Sequence, residues 1–245
     1  MNSLKWIITW ISFALLRKSL HYRLAGAGAS WLQPLNGKAP TMVNRVDYIL
    51  QYCQNKRVLH IGFTDHPFTS ERLASGDLLH QRLKGVTSGL AGVDLGQDGL
   101  DIYKNATNDI NAWQADIVHA YPQQAISFKP SLILLTEVLE HLTDPYGAIR
   151  VLHASFEAGT MVLVTVPNYT ALDSIAASLH QTESIHPDHH WYFSPYTLGK
   201  LFNEKMFRRE DLKFGMYYQP GSRVNSFLKN YPFNGDCMIA VYTII

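Results

Sequence analysis

Cysteine is scarce in this chain: Cys53 and Cys237 are the only two in 245 residues. That argues against a disulfide-stapled secreted scaffold and fits a reduced, cytoplasmic setting. Charge is scarce as well. Asp, Glu, Lys and Arg make up 17% of the residues, below the ~25% usual in globular domains, and the net charge is +1. No uniform field steers nucleic acid, and no stripe rich in Arg and Lys is evident, so a nucleic-acid partner finds no support. There is no apolar run of the ~20 residues that a spanning helix needs. Internal repeats and low-complexity tracts are absent. No G-x-G-x-x-G follows a strand-like segment, which argues against a nicotinamide oxidoreductase.

Hydrophobic residues, by contrast, reach 47%, enough for a large core. Their placement is informative. Trp6 to Leu16 is uncharged and mostly apolar, then Arg17 and Lys18 follow. Basic residues after the apolar stretch argue against a cleaved signal peptide. At helical spacing Asn2, Lys5, Thr9 and Ser12 form a narrow polar stripe. Two readings stay open for residues 4–16: a helix docked on the domain, or an interfacial helix giving peripheral membrane contact. Ala25 to Pro40, rich in Gly, Ala and Pro, reads as a linker. The expected organisation is therefore an N-terminal helix and linker over residues 1–41 and one domain over 42–245.

Within that domain periods alternate. Helical spacing covers Val43–Gln54, Ser70–Leu83, Asp144–Phe156 and Ser194–Phe207, the last opened by Ser-Pro. Strand-like runs cover Arg57–Ile61, Ala91–Leu95, Leu132–Thr136 and Met161–Val166, with a weaker one at Trp113–Val118 and two late ones near Leu212–Tyr218 and Cys237–Ile244. The stretch Gln219–Asp236 between the late strands shows no clear helix. Uninterrupted apolar strands alternating with helices predict an α/β fold: a doubly wound, mainly parallel, Rossmann-like sheet of seven strands with an antiparallel edge and helices on both faces.

The most informative segment is Pro130–Pro145, PSLILLTEVLEHLTDP. An apolar run ends abruptly in acidic residues and a histidine. In an open α/β sheet a strand's carboxyl end meets the ligand crevice, and charged groups there face a ligand or a metal, because burying them unpaired is costly. If a helix begins at Glu137, then Glu137 and His141, four apart, share one face, and His141 is a reasonable base near neutral pH. Glu140 is placed to converge with Glu137 on a cation. His186-Pro187-Asp188-His189-His190 adds ligand-type side chains farther along, beside Trp191, Tyr192 and Phe193.

In their order these motifs resemble the class I S-adenosylmethionine-dependent methyltransferases, over roughly Val43 to Ile245, in the branch that contains ubiquinone-pathway O-methyltransferases. Val58-Leu59-His60-Ile61-Gly62 stands where that family has its first strand and glycine loop. Gly92-Val93-Asp94-Leu95 is similar to its second strand with an acidic end, and Thr136 to Leu142 followed by Asp144-Pro145 to the motif after its fourth strand. Gly159–Asn168 looks like strand five. Phe193 to Leu198 resembles the helix start after the substrate-facing segment. The resemblance implies an S-adenosylmethionine site at His60, Gly62, Thr64, Asp94, Leu95 and Thr136, with Asp94 on the ribose hydroxyls and Asp116 with Ile117 against the adenine. Asp94 lies 32 residues after Gly62, longer than the ~20 of a dinucleotide fingerprint.

One motif departs from the family. The usual acid and three alternating glycines are replaced by His60-Ile61-Gly62-Phe63-Thr64-Asp65-His66-Pro67. Asp65 is a candidate substitute for the acid facing the methionyl ammonium; its bland alternative is a cap on a proline turn. The chain also resembles, more narrowly, the small-RNA terminal 2′-O-methyltransferases, whose two glutamates and two histidines hold a magnesium-type ion. That likeness implies a metal set of Glu137, Glu140, His141 and His189, suited to a divalent ion that polarises a hydroxyl. The expected function is thus O-methylation of a small-molecule, glycan or lipid-linked acceptor, with His141 and Glu137 catalytic. Two alternatives stand: a catalytically inactive methyltransferase-like binding module, and a metal-assisted 2′-O-methyltransferase of RNA.

Overall fold

The apolar run after Ser131 is a strand buried along its whole length, and its two faces feed two different cores. Ile133 and Leu135 pack with Leu59, Ile61, Val93, Val162 and Val164. Leu132 and Leu134 pack with Ile49, Cys53, Val58 and Leu163. A strand whose alternate residues are both buried must be apolar throughout, which is why the segment reads as a continuous run.

A computed structural model describes residues 41–217 and 222–245. The apolar stretch at residues 4–16 and the expected linker fall on residues 1–40, outside the described residues. In chain order the elements are β1 (Met42–Asn44), α1 (Arg45–Cys53), β2 (Arg57–Ile61), α2 (Thr69–Ser75), α3 (Leu79–Leu83), β3 (Gly89–Asp94), α4 (Gln97–Thr107), β4 (Ala112–Gln114), α5 (Gln123–Ser127), β5 (Leu132–Thr136), a 3₁₀ turn (Leu139–His141), α6 (Pro145–Ser155), β6 (Met161–Pro167), α7 (Leu172–Leu179), α8 (Pro195–Leu201), β7 (Phe207–Met216), α9 (Ser222–Asn230), a 3₁₀ turn (Pro232–Asn234) and β8 (Cys237–Ile244). They build one eight-stranded sheet of order β1-β7-β8-β6-β5-β2-β3-β4. Neighbours run parallel except β8, which is antiparallel to β6 and β7. Among the described residues no helix is long and apolar enough to cross a membrane.

The α/β class, the mainly parallel sheet and its antiparallel pair match expectation; the strand count is eight rather than seven. The additional strand is β1, where Met42 to Asn44 pair with Phe214 to Met216. Helical spacing was expected from Val43, but Asn44 is extended and caps α1, its side chain accepting from the Asp47 amide at 3.0 Å. The expected helix Ser70–Leu83 is two helices, because Gly76 ends α2 in the left-handed region at φ 78° and the chain restarts at Leu79. The weak strand at 113–118 contracts to Ala112–Gln114. A helix, α9, occupies the stretch where none was expected.

Two caps fix the helices that flank the carboxyl rim. Asp144 accepts from the Gly147 amide at 2.8 Å, with Pro145 in the first turn of α6. Ser194 and Thr197 form a reciprocal capping box at the start of α8, again with proline next.

Gly92 is required by contact rather than by conformation: a Cβ there would lie 2.5 Å from the buried Phe63 ring. We expect Gly92→Ala to destabilise the protein by about 1–3 kcal/mol, the usual cost of overpacking a core, read as a lower urea midpoint.

Candidate functional site

β2 pairs with β3 on one side and β5 on the other, so chain connections leave β2 in opposite directions. That reversal opens a crevice outside the carboxyl ends. Three singled-out residues stand on this rim: Gly62 directly after β2, Asp94 at the end of β3 and Glu137 directly after β5. The Gly62 amide donates to the Val93 carbonyl at 2.8 Å. Gly62 has φ 68°, and a Cβ on it would meet Val138 Cγ2 at 2.5 Å. Conformation and space therefore both demand glycine, and the turn after β2 touches the turn after β5.

The variant glycine loop is internally tied. Asp94 Oδ2 accepts from the Thr64 amide at 3.0 Å and from its hydroxyl at 2.9 Å, and Oδ1 accepts from the Gly96 amide at 3.0 Å. A carboxylate has roughly four lone-pair sites, so the site keeps acceptor capacity. Asp65, at φ 54°, forms an ion pair with Arg72 on α2. Burial raises its pKa above the ordinary carboxyl value, against the pull of Arg72.

His60, standing in the place of the family's acid, belongs to a buried network. One ring nitrogen, Nε2, lies 3.1 Å from Thr136 Oγ1, and Nδ1 lies 3.3 Å from Nδ1 of His80. The His80 ring lies 4.2 Å from that of Phe63. Burial, reinforced by Arg45, lowers His60 to about 3. Burial and then His60 itself push His80 well below its ordinary value. Both imidazoles are neutral, and Thr136 is turned toward His60 beneath the loop.

On the other side of the crevice the expected helix at Glu137 is absent. Glu137 has φ 54°, a left-handed conformation that costs a non-glycine residue about 1–2 kcal/mol, and a 3₁₀ turn begins only at Leu139. Glu137 and His141 are thus not neighbours on a helix face. Instead both Glu137 oxygens accept hydrogen bonds, Oε1 from Thr165 at 2.6 Å and Oε2 from Tyr217 at 2.5 Å. The Arg45 guanidinium lies 3.7 Å from Oε1 and 5.5 Å from the Tyr217 ring centroid.

Glu140 is the opposite case. It is 0% exposed, and among the described residues neither carboxyl oxygen has a hydrogen-bond partner. Burial first, then the neighbouring Glu137 charge, raise its pKa well above the ordinary value. Its ligand atoms lie with those of His141 and His189 within 4.8 Å of one another. Burial lowers the pKa of both histidines, which leaves their ring nitrogens available as donors of electron pairs. An orphaned carboxyl against two neutral imidazoles fits a divalent ion. Of the four expected ligands, Glu140, His141 and His189 converge, while the neighbouring Glu137 has its oxygens engaged by Thr165 and Tyr217.

Asp116 and Ile117 follow β4. Asp116 Oδ1 accepts from the Val118 amide at 3.0 Å and Oδ2 lies 3.6 Å from His119 Nε2, while Ile117 is buried in the main core. Leu95 is 62% exposed at the rim. Sequence reasoning did not single out Arg45, Thr165, Tyr217 or His80. No local motif marks them; only the alignment of strand ends in the sheet brings the first three to Glu137.

A sequence profile of the family described as "Methyltransferase domain" matches residues 28–208, more than half of the chain. No curated protein matches in sequence. Among solved structures the chain is similar to a SAM dependent methyltransferase from Archaeoglobus fulgidus, at 14% identity, over 80% of this chain and 90% of that one, with a TM-score of 0.50. It is also similar to the small RNA methyltransferase HEN1, at 14% identity, over 87% of this chain but 27% of that one, with a TM-score of 0.54. At these identities the likeness concerns the fold.

The His60–His80 pair carries a pH signature. Both folded-state pKa values lie below the ordinary 6.5, so the unfolded chain binds more protons and stability falls as pH drops below 6.5, toward about 3 for His60. In His80→Gln we expect a shallower loss over that window than in the wild type, measured by urea unfolding at a series of pH values.

Proposed function

This chain belongs to the family of methyltransferase domains, and we propose that it transfers a methyl group from S-adenosylmethionine to a hydroxyl oxygen with the help of a divalent ion. The observation that carries this reading is the partnerless buried carboxyl of Glu140, set against His141 and His189 on the rim that also bears Gly62 and Asp94.

S-adenosylmethionine, when bound, supplies a methyl group already activated on a sulfonium. What remains for the protein is to align the acceptor, lower the barrier to losing its proton and exclude water. Gly62 allows close backbone approach after β2, and the remaining acceptor capacity of Asp94 suits a ribose hydroxyl. Thr64 and Asp65 on the loop, Leu95 after β3 and Asp116 with Ile117 after β4 would wall the same half. His60 and Thr136, bonded to each other, support it from beneath.

Glu140, His141 and His189 would hold the ion, whose Lewis acidity lowers the pKa of a hydroxyl. Glu137 then serves to fix the turn, because both its oxygens already accept hydrogen bonds, from Thr165 and Tyr217; His141, whose burial favours the neutral ring, is the candidate to receive a proton when no ion is present. The acceptor that fits the near-neutral chain is a small molecule, a glycan or a lipid-linked intermediate. A second reading, 2′-O-methylation of RNA, is favoured specifically by the mixed carboxylate–imidazole set; the net charge of +1 speaks for the first.

Titration calorimetry with S-adenosylhomocysteine tests the cofactor half. We expect binding, weakened about tenfold or more in Asp94→Ala, the loss of roughly 1.4 kcal/mol or more; silence at millimolar ligand would leave a binding module without catalysis. For the metal half, Glu140→Met should abolish Mn²⁺ uptake and yet raise metal-free stability by about 1–3 kcal/mol, because it removes a buried unsatisfied carboxyl. Urea unfolding with and without Mn²⁺ reads both effects.

A further inference from the structure

His189 lies 48 residues beyond His141 in the chain, so something must hold the two together. Residues 186–190 have no helix or strand of their own. Two hydrogen bonds strap this segment to the turn after β5. The His190 amide donates to the Glu140 carbonyl at 2.8 Å, and the Trp191 indole Nε1–H donates to the Leu142 carbonyl at 2.7 Å. They bracket the turn that carries Glu140 and His141 and act on the two residues directly after His189. The result is a perpendicular contact of the His141 and His189 rings, with centroids 4.6 Å apart. Trp191 is 40% exposed, so its hydrophobic burial is incomplete and the directed N–H bond is its most specific contact.

We propose that Trp191 is a positioning residue for the metal cluster, its indole N–H clamping the His186–Trp191 segment so that His189 meets Glu140 and His141. The inference rests on the metal reading given above. It acts through placement: Trp191 is not one of the three side chains whose ligand atoms converge. Indole is suited to the task because it is a donor without a competing acceptor site and a rigid plane that loses little freedom on docking. The neighbouring His190 amide is then held by the same closure.

The test is Trp191→Phe, which keeps an aromatic ring and deletes the N–H. Mn²⁺ affinity is measured by calorimetry on the full chain, with His189→Ala as a reference for a lost ligand. We expect Trp191→Phe to bind Mn²⁺ roughly 10–100-fold more weakly, the range found when outer partners of metal ligands are removed, while its metal-free melting curve overlays the wild type. Amide hydrogen exchange at His190 should speed up in the same variant. An unchanged Mn²⁺ affinity with wild-type exchange at His190 overturns the proposal, as does a loss of affinity matched by a general loss of the metal-free fold. If the wild type takes up no Mn²⁺ at all, the metal reading fails and this one falls with it; if the wild type binds and His189→Ala does not, only the role of Trp191 is in question.

Discussion

A strand buried on both faces can hold a polar group only where a partner meets it, and has its freest place for one at its ends. That constraint organises this molecule. β5 sends Leu132 and Leu134 into one core and Ile133 and Leu135 into the other, and the same holds across the parallel sheet. Polar chemistry is therefore driven to the carboxyl rim, where the reversal at β2 leaves room for it. Gly62, Asp94, Glu137, Glu140 and, through β1 and β7, Arg45 and Tyr217 all stand at such ends. The sheet does not catalyse anything. It gathers side chains from distant parts of the sequence to within bonding distance of one another.

The two glutamates after β5 show how finely local geometry divides labour. Three residues apart, they look interchangeable in the sequence. Glu137 adopts a left-handed backbone and is met by two hydroxyls and a guanidinium. Glu140, in the 3₁₀ turn that follows, is fully buried, and among the described residues its carboxyl oxygens have no hydrogen-bond partner. The first has both oxygens engaged and ties its turn to β6 and to the end of β7. The second is a group whose burial makes sense only if something positively charged joins it, or if it carries its own proton.

Much of the frame was legible beforehand, and for a physical reason. A run such as Leu132–Leu135 must be apolar because both faces are covered, and the limits read for Arg57–Ile61 and Leu132–Thr136 coincide with strands β2 and β5. Helix starts announced by Ser194-Pro195 and Asp144-Pro145 are capped as that chemistry requires. What periodicity missed lies where a backbone dihedral departs from the pattern. Counting by four places Glu137 with His141, but a positive φ at Glu137 breaks the count. Gly76 does the same to the helix expected over Ser70–Leu83. Short β1 was hidden because three residues at the start of an amphipathic stretch carry no period of their own. Partners such as Thr64 for Asp94 and Tyr217 for Glu137 were invisible because contacts across a sheet leave no spacing in the chain.

The contact between Gly62 and Val138 joins the two halves of the crevice. One belongs to the loop after β2, the other to the turn that leads into Glu140 and His141, and no free volume separates them. The left-handed backbone at 62 keeps that position glycine whatever stands opposite, so the burden of fit falls on 138: a bulkier side chain there would press straight onto the backbone of the loop, and a disturbance on one side of the crevice would be felt on the other.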